Sequence, residues 1–233
     1  MNCKMRQILL AAMVSLATVA SAQADPKSDV ATAIMNLASS SNYSWSRSIP
    51  RAGEIEQGKT RRDGLVYLRQ GSNRFTYEEY FQGNKFVENF GHGWKGLTGP
   101  IAQFRLAQLK EYNTPAAQAQ ELADQTTSFQ KTNEGYTGTL SEQIATHYLN
   151  LDRGKGIQVS GASGSVTFAI TNGVLSRLDY HVLAIAGAHG VVRNVDRIMK
   201  IQIKDVGTTQ IELPADVQKL WAQTATTEPA PAH

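Results

Sequence analysis

The sequence predicts an α+β fold: a strongly curved antiparallel sheet of about ten strands, an incomplete barrel, with helices covering its concave face. Three observations carry that expectation. Short segments of alternating apolar and polar residues recur before Gly99 and after Asp152, separated by turns rich in Gly and Asn. Stripes with helical spacing are segregated from them, at the start, middle and end of the chain. The composition, 41% hydrophobic and 18% charged over 233 residues, suits a single domain and excludes a disordered polyampholyte.

The chain opens Met-Asn-Cys-Lys-Met-Arg, continues through an apolar stretch from Ile8 to Ala20, and reaches small residues at Ala22 and Ala24. That pattern is expected of a secretory signal peptide over residues 1–24, cut after Ala24. The stretch is shorter than the roughly 20 residues that a spanning helix needs. Cleavage removes Lys4 and Arg6, two of the 23 basic residues, and takes the net charge from +3 to +1. Such a chain has no electrostatic footprint for nucleic acid or an anionic membrane. Cys3, the one cysteine, goes with it, so neither a disulfide nor a thiolate is expected in the mature domain. The expected location is the periplasm, with secretion as the alternative.

Residues 25–223 read as one domain. Ser28 is placed as the cap of a helix whose stripe is Val30, Ala33, Ile34, Leu37 and Ala38. Strands follow at Tyr43–Ser48, Gly53–Thr60, Leu65–Gln70, Arg74–Phe81 and Lys85–Phe90, with Gln82-Gly83-Asn84 as a hairpin turn. Phe75, Tyr77 and Phe81 share one face of their strand, with Thr76 and Glu78 on the other. The zone from Pro100 to Asp152 is expected to be helical. Pro100 opens a helix carrying Ile101, Phe104 and Leu109, and Thr114-Pro115 precedes Ala116–Ala123. Thr139 and Glu142 have capping-box spacing ahead of Ile144, Tyr148 and Leu149, with Leu140 on the same stripe.

Strands then return. Val166, Phe168 and Ile170 alternate with polar or small residues, Asn172-Gly173 is a strong hairpin signal, and Leu178, Tyr180 and Val182 follow. A permissive small-residue stretch, Ala184–Gly190, comes before the Met199, Ile201 and Ile203 strand. Gln210–Leu213 reads as a last strand with Ile211 and Leu213 inward, and Pro214 opens a helix with Val217, Leu220 and Trp221. Thr224–His233 is expected to be a disordered tail.

No convincing catalytic or metal signature is present, so neither an enzyme nor a cofactor is expected. The five histidines, His92, His147, His181, His189 and His233, show no metal-ligand spacing on one predicted helix. Ser163 lies between small residues but lacks the Gly-x-Ser-x-Gly elbow of a hydrolase. Glu78 and Glu79 point to opposite faces of a strand and cannot act as a facing pair. Lys59-Thr60-Arg61-Arg62 reads as a solvated turn, and Gly91-His92-Gly93-Trp94 as a turn with an aromatic anchor.

In element order the chain resembles the outer-membrane lipoprotein carrier family, LolA, and related periplasmic lipid-binding lipoproteins. The stretches that carry the resemblance are Arg74 to Trp94, Gly164 through Asn172-Gly173 to Leu175, and Lys204 through Gly207 to Pro214. The resemblance implies a half-barrel that binds acyl chains and carries them through the periplasm. It also implies an early-strand arginine that holds a helical lid, for which Arg47, Arg61 and Arg62 compete. The long polar connection around Gln118–Gly138 departs from the family pattern.

The expected lining of such a cavity is the inward apolar set: Phe75, Tyr77, Phe86, Phe90, Val166, Phe168, Ile170, Leu178, Tyr180, Met199, Ile201 and Ile203. Covering helices rich in alanine (Ala102, Ala107, Ala116, Ala117, Ala119, Ala123) fill a concavity poorly and favour a ligand cavity. The expected function is binding or carriage of an apolar ligand such as a lipid or acyl chain, with an envelope protein as a further partner. An envelope sensor or interaction module on the same scaffold is the alternative, and an uncharacterised hydrolase the third reading.

Overall fold

The computed structural model describes residues 25–49, 54–72, 75–96, 100, 103–105, 107, 112–149, 157–188 and 191–225. The proposed signal peptide, Arg74, Ile101, Ala102, Leu109, His189 and residues 226–233 lie outside the described residues.

After helix α1 (Pro26–Ala38) come β1 (Asn42–Ile49), β2 (Glu54–Arg61), β3 (Val66–Ser72), β4 (Phe75–Gln82), β5 (Lys85–Asn89) and β6 (Lys95–Gly96). Helix α2 (Pro115–Asp124), β7 (Thr126–Thr132), β8 (Gly135–Leu140) and α3 (Glu142–Tyr148) follow. The chain ends on β9 (Gln158–Thr171), β10 (Val174–Ala188), β11 (Val191–Lys204) and α4 (Ala215–Ala225). The eleven strands form one sheet in the order β6-β5-β4-β3-β2-β1-β11-β10-β9-β8-β7. Every pairing is antiparallel.

Two meanders meet at the centre. β1 to β6 step outward, β7 to β11 step back inward, and β1 pairs with β11, Arg47 opposite Ile201. The sheet stays open between its edges β6 and β7, so the chain between them has to cross from one edge to the other, and α2 lies on that crossing. β9, β10 and β11 are long, at 14, 15 and 14 residues, and the β9–β10 register shifts at Leu175/Arg177 and Leu183/Ile185. Such irregularities add twist, which lets a wide sheet curl. Asn172 and Gly173, with φ of 53° and 74°, make the tight turn between β9 and β10.

Strand alternation sorts the apolar residues into two cores. On the concave face, α1, α2 and α3 cover a cluster that includes Leu37, Trp45, Leu68, Leu122, Phe168 and Ile201. On the convex face, α4 lays Val217 and Trp221 over Leu65, Tyr80 and Val87. The Trp94 ring lies 5.1 Å from that of Tyr80, tilted by 52°, and packs against the convex core, so the Gly91–Trp94 turn does anchor its aromatic.

Several local expectations are corrected. Helix α1 is capped by Asp25, whose carboxylate accepts from Lys27 N at 3.2 Å, rather than by Ser28. Pro26 fits a first helical position, which places the start three residues earlier. The zone Pro100–Asp152 is not all helical, because β7 and β8 form a hairpin within it. Threonines 126, 127, 132, 137 and 139 favour the extended backbone there, and β8 gains β9 as a second partner. Leu140 accordingly ends β8, and Ser141 caps α3 through Ile144 N. Ala184–Ala188 continues β10, paired with β11 throughout and with β9 at Ile185, Ala186 and Gly187. Gln210–Leu213 is not a strand: Lys59 Nζ and Tyr80 OH hold its carbonyls, and Ile211 and Leu213 pack into the convex core. Helix α4 runs to Ala225, two residues into the expected tail.

Candidate functional site

Helix α2 starts at Thr114-Pro115 and buries Ala116, Ala119, Leu122 and Ala123. It lies across β1. Ala116 N donates to the Tyr43 hydroxyl at 3.4 Å, and the Arg47 guanidinium donates to Gln118 Oε1 at 3.2 Å and to the Asn113 carbonyl at 3.5 Å. Among the three competing arginines, Arg47 is therefore the one that bonds the helix. Arg61 instead pairs with Asp63 in the exposed β2–β3 turn at 2.6 Å. That exposed pair contributes little to stability.

A cavity opens on each flank of α2. The first, about 380 Å³, is lined by Arg47, Glu56, Tyr112, Glu121, Tyr180 and Arg197, with Met199 and Ile55 as apolar members. The second, about 650 Å³, lies between α1, β1 and the β2–β3 turn. Ala31, Ile34, Met35, Tyr43 and Ala117 make most of it apolar, with Arg61 and Arg62 at its rim. Gln118 and Glu121 face the first cavity and Ala117 and Gln120 the second, so the helix itself divides them.

The charged cavity is organised around two carboxylates. Glu56 Oε1 takes the Tyr112 hydroxyl at 2.8 Å, the Trp45 indole at 3.3 Å and an ion pair from Arg47 at 3.4 Å, and Oε2 takes Gln70 at 3.1 Å. Glu121 Oε2 accepts from Tyr148 OH at 2.9 Å and Asn113 at 3.2 Å, with His147 at 3.7 Å from its other oxygen. Burial and the Glu56 carboxylate push the Tyr112 phenol well above its ordinary pKa. Burial and Glu121 do the same to Tyr148. Burial raises Tyr180 as well, although Arg47 and Arg197 pull the other way. These phenols therefore remain neutral donors across the physiological range. Burial opposes the Arg47 charge, but Tyr112 and Glu56 outweigh it and raise its pKa.

The expected lining residues are distributed unevenly. Tyr180 and Met199 line the charged cavity. Val166, Phe168, Leu178 and Ile201 are wholly buried and Ile203 nearly so, in the concave core, with Ile170 partly buried against it. Tyr77 and Phe86 are buried towards the β4–β5 end of the sheet. Phe90 is 42% exposed, its ring 4.6 Å from that of Tyr77. The side chain of Phe75 lies outside the described residues.

Sequence reasoning overlooked the inward carboxylates. Glu79 is buried between Tyr77 and Phe81 in the alternation, and its Oε2 accepts from the Tyr77 hydroxyl at 2.6 Å. Arg105 donates to that hydroxyl at 3.0 Å and lies 3.9 Å from Glu88. Burial raises the Glu79 pKa, partly offset by Tyr77 and Arg105. The signal was available: the period of two that turns Tyr77 and Phe81 inward turns Glu79 inward too.

A hydrolase-like row also exists on the outer face. His181 Nε2 lies 2.9 Å from Asp196, and Ser165 sits opposite His181 in register. Ser165 makes no side-chain hydrogen bond among the described residues and is exposed, so the bond to a base that activates a nucleophile is missing there.

No family model and no curated protein matches this chain. Solved structures similar to it include two mycobacterial proteins. The Mycobacterium tuberculosis lipoprotein LppX is 12% identical, with 80% of this chain and 97% of that one covered and a TM-score of 0.47. LprF from Mycobacterium bovis is 8% identical, with 82% and 97% covered and a TM-score of 0.46.

Proposed function

We propose that the protein is an exported binding protein of the cell envelope that takes up a lipid or acyl chain beneath helix α2. The observation that carries this reading is the pair of cavities on the two flanks of one alanine-rich helix lying across β1. Lifting α2 joins the two into one trough along the concave face, floored by Tyr43 and Trp45. An acyl chain entering it replaces the apolar contacts of Ala116, Ala119, Leu122 and Ala123. Each methylene buried contributes about 0.8 kcal/mol, so a long chain can displace a helix whose buried side chains are mostly methyl groups. Arg47 holds the empty state closed through Gln118 and Asn113.

The test is native mass spectrometry of the mature protein purified from a bacterial periplasm, together with uptake of a fluorescent fatty acid. A copurifying lipid, or saturable uptake that strengthens in Arg47→Met, supports the reading. A clean apo mass with no uptake by either form overturns it.

A further inference from the structure

The charged cavity shows an imbalance between donors and acceptors. Its two carboxylates are already occupied, Glu56 by four protein donors and Glu121 by Tyr148, Asn113 and His147. Its cations have donors to spare, Arg197 above all, whereas Arg47 is held by Glu56, Gln118 and Asn113 through its terminal nitrogens. Arg197 gives one N–H to the Leu149 carbonyl, at the end of α3, and makes no ion pair among the described residues. The Nε of Arg47 is buried with no acceptor there. A guanidinium carries five donors in a planar fork, so most of those on Arg197 remain available to a ligand. A group that only accepts hydrogen bonds suits this cavity, and a neutral hydroxyl suits it less.

The placement of the two arginines adds direction. Arg47 is opposite Ile201 on β11, so Arg197 lies four residues beyond it, away from the apolar cavity at Tyr43. Eight residues of strand thus separate the level of Arg197 from that of Tyr43, about 26 Å at 3.3 Å per residue. Between the two ends the trough floor is Trp45 and the stem of Arg47, with α2 above.

We infer that the ligand is an anionic amphiphile: its carboxylate or phosphate head sits against Arg197 and its acyl chain runs beneath α2 towards the apolar cavity. This rests on the binding reading above and names the head group that reading leaves open. Two carboxylates share the cavity, and both accept from protein donors: Glu56 from Tyr112, Trp45, Arg47 and Gln70, and Glu121 from Tyr148 and Asn113.

The experiment is equilibrium dialysis of the mature protein against labelled palmitate and labelled monopalmitoylglycerol, which share a chain and differ in head charge. Palmitate is expected to bind about tenfold tighter, the worth of one charge-assisted hydrogen bond. Arg197→Gln should remove most of that difference by weakening palmitate about tenfold and monopalmitoylglycerol by much less, and Arg197→Lys should restore part of it. Thermal unfolding shows whether each variant is folded, and retained monoglyceride binding shows that its trough is intact. Equal binding of the two lipids, unaltered in Arg197→Gln, overturns the head-group assignment and leaves the proposed function standing. Acetate or inorganic phosphate binding as tightly as palmitate overturns the amphiphile in favour of a free anion. Failure of both lipids overturns the proposed function and this inference together.

Discussion

Replacing Arg47 with Met probes the contact that keeps α2 on the sheet. The substitution keeps most of the apolar stem and removes four interactions: the ion pair to Glu56 at 3.4 Å, the bonds to Gln118 at 3.2 Å and Asn113 at 3.5 Å, and the guanidinium over the Tyr112 ring at 5.4 Å. The paired side chains are only 16% and 11% exposed, so solvent screening is weak. Removing one partner of a buried pair costs roughly 3–5 kcal/mol. Glu56 keeps Tyr112, Trp45 and Gln70 as donors, which places the global loss near the lower end, about 3 kcal/mol. The share that belongs to α2 is the bond to Gln118, roughly 1.5 kcal/mol for a charged donor. That corresponds to about a tenfold increase in the population with α2 lifted. Urea unfolding measures the first quantity, and native-state amide exchange measures the second, with Leu122 and Ala123 compared against Phe168 and Leu178. The Glu56→Gln variant, which leaves Arg47 bonded to Gln118, should accelerate the α2 amides less. If the α2 amides of Arg47→Met exchange as in the parent protein, or no faster than those of β9 and β10, Arg47 does not restrain the helix.

Three further outcomes are expected. Gly58→Ala should destabilise by about 1–3 kcal/mol in urea, because its Cβ would stand 2.0 Å from the Trp45 ring and push the indole off Glu56. Phe168→Ala, at a wholly buried site facing Tyr136 and Leu178 across the ladder, should cost roughly 3–5 kcal/mol and lower Tm accordingly. Glu79→Gln should stabilise the protein at neutral pH. The folded-state pKa of Glu79 is raised, so the folded protein binds the proton more tightly than the unfolded chain, and stability falls as pH rises from about 4.5 through the folded value. The advantage of Glu79→Gln should therefore shrink as pH is lowered through that window and vanish below it, measured by urea unfolding at a series of pH values. An advantage independent of pH would place its origin elsewhere.

The parts of the fold that were legible in the sequence share a property: their signal is complete within a few residues. Asn172-Gly173 sets its own turn by adopting positive φ, Thr114-Pro115 starts α2, and the alternation in Tyr77–Phe81 sorts side chains between faces. Where neighbours in space decided the outcome, sequence reading went astray. Thr126–Leu140 is a polar stretch that could extend or coil, and β9 decides the matter by pairing with Tyr136–Leu140, on which β7 then pairs in turn. Ala184–Ala188 has little preference of its own and is held in β10 by β11 along its length and by β9 at its middle three residues.

The same division runs through the candidate site. An open antiparallel sheet with segregated helices follows from periodicity alone, because alternation and helical spacing each require one buried face. The amino-acid order also placed an alanine-rich helix in the middle of the chain and arginines on early strands. What only the tertiary structure decided is which polar groups meet. Arg47, Glu56, Gln118, Glu121 and Arg197 come from β1, β2, α2 and β11, and their separation in sequence hides their convergence in space. Charges buried at such a meeting are stabilised by partners from distant strands, and pairing across the central β1–β11 seam is what brings them within reach.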